Sequence, residues 1–478
     1  MISTEILSKF IDSLRGAVLD RGKAYGYRLN SNDINELWED GRQITYEDRA
    51  GEFRLKYKYY SFMSQFISLK TFHTFKSVML AALLLPVHAA ATETTDSTAE
   101  AEAPSVQVSL ITCSPGRDIY ELCGHTALRV RSGDMDMAVN YGIFDFNAPN
   151  FVYRFVKGET DYMVAAYPFE HFMEGYQRQG RSVTEQPLNL TSRQADSLIA
   201  LLDRNLRPEN RVYRYNYVKD NCSTRPLSMI ERALGDTIAL TAPSGTEGWS
   251  FRDAMRHYHK GYPWYQFGID LALGSGIDYP ISAREKAFAP IMLSEMLKTA
   301  VVKDSMNRKI PLAAGTRIIS EGRPDGGPAS PTPWYFTPMA AAIALLIITI
   351  VVTLRDLKRR KITRWYDFLI FSLYGTAGCV TAFLVLISVH EATSPNILLL
   401  WLNPLCLIIP ACIFIKKCRR LVILYGIVNF VALILLTLMW PLSGQSINPA
   451  FIPLILTDAI LTARYLYITR CDEKTTRD

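Results

Sequence analysis

Apolar and polar positions divide this chain at about residue 335. Beyond that point lie five apolar runs, 335–354, 366–388, 397–415, 421–441 and 450–469. Each approaches or reaches the roughly 20 residues that a helix needs to cross a hydrocarbon core of about 30 Å. Before it, the pattern becomes that of a water-facing domain. Val106–Thr112, Thr126–Arg131 and Met137–Ile143 alternate with period two, the last two joined across Ser132-Gly133-Asp134, and predict three strands. Leu198–Leu206 carries apolar residues at helical spacing behind Thr191, a candidate N-cap, which predicts a helix over 191–206. Arg211–Val218 alternates tyrosine with polar residues, and a second helix runs from about Pro226 to Leu234, before Gly235. The fold class expected is an α+β domain over 105–305, followed by an all-α bundle of five transmembrane helices over 335–469.

The connections between the apolar runs set their direction. Arg355–Lys361, followed by Arg364, and Lys416–Arg420 are basic, whereas His390–Asn396 and Pro441–Asn448 contain no Lys or Arg. Basic loops stay in the cytoplasm. The first helix therefore enters from outside, the tail 470–478 is cytoplasmic, and the α+β domain is exported. An export signal is present: Ser77–Val87 is apolar, follows Lys70 and Lys76, and precedes the small-residue stretch 88–91. We read 63–91 as a signal peptide beginning at Met63, and 1–62 as the product of an upstream start codon. The alternative is a genuine cytoplasmic extension with an uncleaved anchor. Residues 92–104 read as a polar linker, and 306–334, rich in Gly, Pro and Ser over 315–333, as a juxtamembrane linker.

Composition narrows the function. Hydrophobic residues at 49% against 21% charged exclude a wholly soluble enzyme. A net charge of +6, placed mainly to orient helices, points to a membrane and to no nucleic acid. Eight cysteines are too few for a disulfide scaffold. Three of them, Cys113, Cys123 and Cys222, fall in the exported domain, so at least one is unpaired within the chain. If Cys113 and Cys123 pair, Cys222 is the free thiol. It sits just ahead of a helix, beside Arg225, where the helix dipole and the cation favour a thiolate; a buried inert cysteine is the alternative. A thiol nucleophile needs a base. His125 opens a strand after Gly124, while His171, His257 and His259 are the other exported histidines. No third ligand of suitable spacing accompanies the His257/His259 pair, so we expect no metal and no cofactor. The aromatic stretch 247–273, with Trp264 at its centre, suits either a headgroup-level surface or a core.

A histidine at a strand start, followed about a hundred residues later by Asn-Cys at a helix start, resembles the permuted papain-like (NlpC/P60-like) group, which includes the lecithin:retinol acyltransferase-like enzymes. More closely, the chain resembles the Lnb family of lipoprotein N-acyltransferases. The resemblance rests on Gly124-His125-Thr126, Asn140–Phe146, Asp220–Arg225 and Pro263–Gly274 and covers about residues 105–305. It implies a catalytic pair of Cys222 as nucleophile and His125 as base. Asn140, Tyr141 and Asn221 are then candidates for orienting the imidazole or holding an oxyanion. Asp145 is a further candidate, on the face of Tyr141 by strand alternation. Glu121, Arg225 and Trp264 are candidates for binding substrate, with Arg225 equally readable as a structural ion-pair partner. The resemblance further implies a phospholipid acyl donor, a diacylated lipoprotein acceptor and a place in the bacterial inner membrane with the catalytic domain in the periplasm. A cell-wall cysteine amidase or endopeptidase, and a non-enzymatic envelope receptor or scaffold, are the competing readings.

Overall fold

The computed structural model describes residues 106–475, apart from 146, 147, 236, 237, 305, 307 and 329. The expected extension, signal peptide and linker over 1–104 lie outside the described residues, as do 476–478.

Three strands, β1 (Gln107–Cys113), β2 (His125–Ser132) and β3 (Met135–Ile143), form the antiparallel centre of the α+β domain. Helix α1 (Phe151–Lys157) leads to β4 (Asp161–Pro168), α2 (Phe169–Gln179) and β5 (Val183–Pro187). Next come α3 (Ser192–Leu206), β6 (Val212–Arg214) and α4 (Thr224–Leu234). After these follow α5 (Phe251–Tyr258), α6 (Pro263–Ala272), a single helical turn over Ala283–Lys286 and α7 (Pro290–Leu297). The hairpin β7 (Val301–Lys303) and β8 (Lys309–Pro311) precedes β9 (Arg317–Ser320).

The seven-stranded sheet has the order β6-β4-β3-β2-β1-β5-β9, and every neighbouring pair is antiparallel. Period-two alternation gives it two buried faces. Leu110, Leu128 and Val139 stand opposite one another across β1, β2 and β3 on one face. Ile111, Cys113, Ala127 and Ala138 pack on the other against Phe169, Phe172 and Met173 of α2. Thr191 caps α3 through a capping box with Gln194. Tyrosine alternation over 211–218 yields only the short β6, because Asn216 turns the chain by accepting the amides of Val218 and Lys219. Part of the expected juxtamembrane linker is instead sheet: β9 is an edge strand on β5. Buried Glu185 of β5 holds it by pairing with Arg129 at 3.2 Å and Arg317 at 2.5 Å.

The membrane part contains four helices of spanning length, α8 (Pro338–Arg359), α9 (Arg364–Leu386), α11 (Arg419–Ser443) and α12 (Phe451–Thr475). The run expected as a third regular helix, 397–415, is broken instead into 3-10 turns at Ile397–Leu400 and Pro404–Leu407, with a short α10 (Ile408–Cys412). Asn403 caps the second turn and Pro404 lacks an amide to continue a helix. The segment still runs from one end of the bundle to the other. Ile397 donates to Gln445 beyond α11, while the opposite end leads into α11, where Arg419 bonds the Thr469 carbonyl near the end of α12. Irregular backbone at membrane depth requires burial in protein, and Leu398, Trp401, Leu402 and Cys406 are buried. Glycines in α9 make the room: a Cβ at Gly378 would lie 2.4 Å from the Asn403 backbone, and one at Gly375 would lie 2.5 Å from Leu407. Arg464 of α12 joins α8 and α9 by pairing with Asp356 at 3.0 Å and with Asp367.

The α+β domain sits firmly on this bundle. Buried Arg252 pairs with Asp278 at 2.7 Å and Asp270 at 3.1 Å. Asn448 and Ser446, in the α11–α12 connection, bond Asp270 and Asp278 in turn. Asn396 donates to the Leu271 carbonyl, and Gly274 lies so close to Pro395 that a Cβ would come within 2.1 Å of its carbonyl oxygen. The stretch 247–273 is therefore largely a docking plate, with Phe267 and Leu271 packed into the core of the membrane bundle.

Candidate active site

The site begins with a defect in the sheet. Pairing of β3 with β4 slips between Asn140 and Ile143, and Gly142 there has φ +86°, a conformation that favours glycine. Cys222 occupies the space: a Cβ on Gly142 would lie 3.3 Å from the Cys222 Cβ. Cys222 is carried by the turn before α4, and Asn221 fixes that turn. Its Oδ1 accepts the amides of Ser223 and Thr224 at 2.8 and 3.0 Å, and its Nδ2 donates to the carbonyls of Tyr217 and Phe288. Asn221 is thus the true helix cap. Both of its amide hydrogens are engaged, which leaves it no donor for an oxyanion. The helix-start amides that cap onto it are engaged as well.

The donors aimed at the Cys222 thiol are the backbone amides of Thr126 and of Cys222 itself, together with the Tyr215 hydroxyl. Thr126 directly follows His125, so the nucleophile and base candidates meet at one spot. His125 Nε2 lies 2.6 Å from Asn140 Oδ1, and Asn140 Nδ2 donates to the Tyr167 hydroxyl at 2.8 Å. A carbonyl oxygen only accepts, so Nε2 carries the proton and Nδ1 of the neutral ring is left as acceptor. The ring also stacks on Tyr176, centroids 6.2 Å apart. Burial lowers His125 to about 4, and the charge of Arg181 acts in the same direction against the Asn140 hydrogen bond. Burial raises the Cys222 thiol to about 11, although three hydrogen bonds and the Arg181 charge favour its thiolate. Thiol and imidazole are both neutral in the resting protein.

Cys113 and Cys123 are free thiols rather than a pair. Cys113 is hydrogen-bonded to Tyr176, whereas the Cys123 sulfur lies 3.5 Å from the Tyr217 hydroxyl. Burial raises both to about 12. Cys222 is the one of the three that is partly exposed.

The remaining candidates fall elsewhere. Tyr141 points to the opposite face of β3 from Asn140, into the fields of Arg225 and Arg232 on α4, so it does not orient His125. Asp145 lies beyond the end of β3, where strand alternation no longer applies. Arg225 grips Asp220 through two hydrogen bonds of 2.6 and 2.7 Å and lies 3.5 Å over the Tyr213 ring. It braces the turn rather than reaching the thiol. Trp264 donates to the Phe336 carbonyl at 2.7 Å, near the start of α8. Glu121 is 2.8 Å from Arg181. Two residues at the site carry no sequence signal of a role there. Tyr215 belongs to the tyrosine alternation over 211–218 and lies just past the end of β6, and Arg181 follows the Gly180 C-cap of α2, and neither position marks a relation to the thiol.

Residues 93–249 match a family model described as the Lnb N-terminal periplasmic domain, and residues 330–474 match one described as the Lnb transmembrane domain. No curated protein matches the chain, and no solved structure does.

Proposed function

Because this chain belongs to the Lnb family, and so is a multi-pass membrane protein with a periplasmic N-terminal domain, we propose that it is a thiol acyltransferase. It moves an acyl chain from a phospholipid, through a thioester on Cys222, to the N-terminal amine of a diacylglyceryl-cysteine lipoprotein. The observation that carries this reading is the meeting of Cys222 and the His125 strand start at the Gly142 defect, with the imidazole held by Asn140. The arrangement supports reading the α+β domain as a permuted papain-like fold. The basic connections of the bundle lie away from the docking plate, which supports a cytoplasmic C-terminus.

With both groups neutral at rest, proton transfer from Cys222 to His125 Nδ1 accompanies attack on the ester carbonyl rather than preceding it. The amides of Cys222 and Thr126, which reach the thiol in the resting site, are the candidates to hold the developing oxyanion. Collapse breaks the acyl C–O bond. The lysophospholipid alkoxide takes the proton from His125 and departs, leaving the thioester. The acceptor amine then attacks it and His125 takes the amine proton. As the amide forms, the C–S bond breaks and the proton returns to Cys222. Exclusion of water favours aminolysis over hydrolysis.

The test is mass spectrometry of the N-terminal lipopeptide of a reporter lipoprotein, in cells without another N-acyltransferase. Native protein adds an amide-linked acyl group and Cys222→Ala does not. Diacyl lipopeptide in both, with native protein folded in the membrane, overturns the reading in favour of a wall hydrolase or a scaffold.

A further inference from the structure

Helix α1 presents its apolar side outward: Val152, Tyr153 and Phe155 are 72%, 54% and 49% exposed. Exposed apolar groups clustered on one short helix mark an interaction surface, and the position of α1 identifies what covers it. The helix is fastened to the end of α9. Val389 donates to the Lys157 carbonyl, Ser388 to that of Val156, and Tyr153 meets Phe383 of α9 with ring centroids 6.1 Å apart. The outer side of α9 at this end, including Leu386 and Ile387, is exposed and apolar as a lipid-facing surface should be. The exposed side of α1 therefore continues a surface that already faces the bilayer. A soluble protein partner would have to displace lipid to reach it.

From α1 an unbroken aromatic strip leads to the thiol. Phe155 adjoins Phe151 at 6.0 Å, Phe151 adjoins Phe144 at 5.9 Å, Phe144 adjoins Tyr162 at 4.9 Å, and Tyr162 stacks on Tyr215 at 4.0 Å. The Tyr215 hydroxyl is a hydrogen-bond partner of the Cys222 sulfur. Aromatic faces offer large apolar area at little conformational cost, and the two tyrosines at the inner end keep a polar tip for the ester.

We infer that α1 lies in the periplasmic leaflet and that the Phe151–Phe144–Tyr162–Tyr215 strip holds a phospholipid acyl chain running from the bilayer to Cys222. The lipid-binding part stands on the strip and on α1. Delivery of the chain to Cys222 rests on the acyltransferase reading above.

The experiment places full-length protein in nanodiscs of phosphatidylethanolamine and phosphatidylglycerol that contain a phospholipid with a diazirine-bearing acyl chain. Cys222→Ala is used for labelling so that no turnover is needed, and intact native protein is analysed in parallel for a thioester. Labels on peptides spanning 144–162 are expected. A Val152→Asp/Tyr153→Glu change on the exposed side should reduce them at least tenfold while labels on α9 persist. Labels confined to α8, α9, α11 and α12 overturn the inference, and a thioester formed on Cys222 in that case leaves the acyltransferase reading standing. Labels on 144–162 without any thioester in native protein uphold the lipid strip and sink the acyltransferase reading instead.

Discussion

Arg252, under the membrane docking plate, and Arg181, beside the thiol, are both buried but differ in how completely they are paired. Every nitrogen of Arg252 is bonded, to the carboxylates of Asp270 and Asp278 and to the carbonyls of Leu273 and Gly274. Arg181 has Glu121 at 2.8 Å and the Ser114 carbonyl at 2.7 Å, and it lies over Tyr176. Its Nη2 has no hydrogen-bond partner among the described residues. A cation matched by carboxylates on all sides acts as cement, and its field ends at its partners. A cation matched on one side keeps a field, and the charge of Arg181 acts on Cys222, His125 and Cys113. Perturbed groups gathered around one incompletely paired charge are characteristic of working sites.

The comparison is most exposed at Arg252. Arg252→Met leaves Asp270 and Asp278 without their shared cation, and breaking a buried pair in this way costs about 3–5 kcal/mol. Thermal unfolding in detergent should show a large drop in the transition, with less protein accumulating in the membrane. A melting curve like that of the native protein would mean that Arg252 is not cement at all.

Arg181→Gln should cost less stability, because only one carboxylate, Glu121, loses its cation, and should chiefly alter the chemistry. Without the cation the Cys222 thiol rises further above about 11, so at a fixed pH near 8 its alkylation by iodoacetamide should slow by roughly three- to tenfold. In the native protein the thiolate fraction grows as pH approaches the thiol's raised value. The alkylation rate should therefore keep climbing beyond pH 9. A plateau near pH 7 would show a thiolate already formed, contrary to the neutral resting pair.

The smallest effect belongs to Tyr141. Its hydroxyl has no hydrogen-bond partner among the described residues and faces away from His125. Tyr141→Phe should leave stability within about 0.5 kcal/mol and the proposed acyl transfer unchanged. A clear loss of transfer would place Tyr141 in the machinery beside Asn140.

Much of this architecture was readable because burial writes itself into periodicity. The β1–β3 alternation, the Thr191 cap and four of the membrane helices follow from patterns that need no tertiary context. The third crossing shows where hydropathy stops informing: 397–415 is apolar enough to span, but Asn403 and Pro404 decide its backbone, and Gly375 and Gly378 on another helix make that backbone tolerable. Strand β5 was silent for the opposite reason. Its buried Glu185 and Gln186 give no alternating apolar signal, and burial is tolerable there only because Arg129, Arg317 and Ser294 satisfy them. At the site, Cys222 and His125 could be named as candidates from residue type and the family resemblance, with Asn140 left beside Tyr141 and Asp145. Arg181 and Tyr215 could not, because their relation to the thiol exists only after the chain has folded.

The docking plate also sets the size of the cooperative unit. Asp270 and Asp278 rest on Asn448 and Ser446, more than 160 residues further along the chain, and Phe267 and Leu271 belong to the membrane core. Cutting the chain between β9 and α8 would give a fragment whose Asp270 and Asp278 keep Arg252 but lose Asn448 and Ser446, with an apolar scar where its floor had been. What looks like a periplasmic head on a stalk is a single building whose ground floor lies in the lipid.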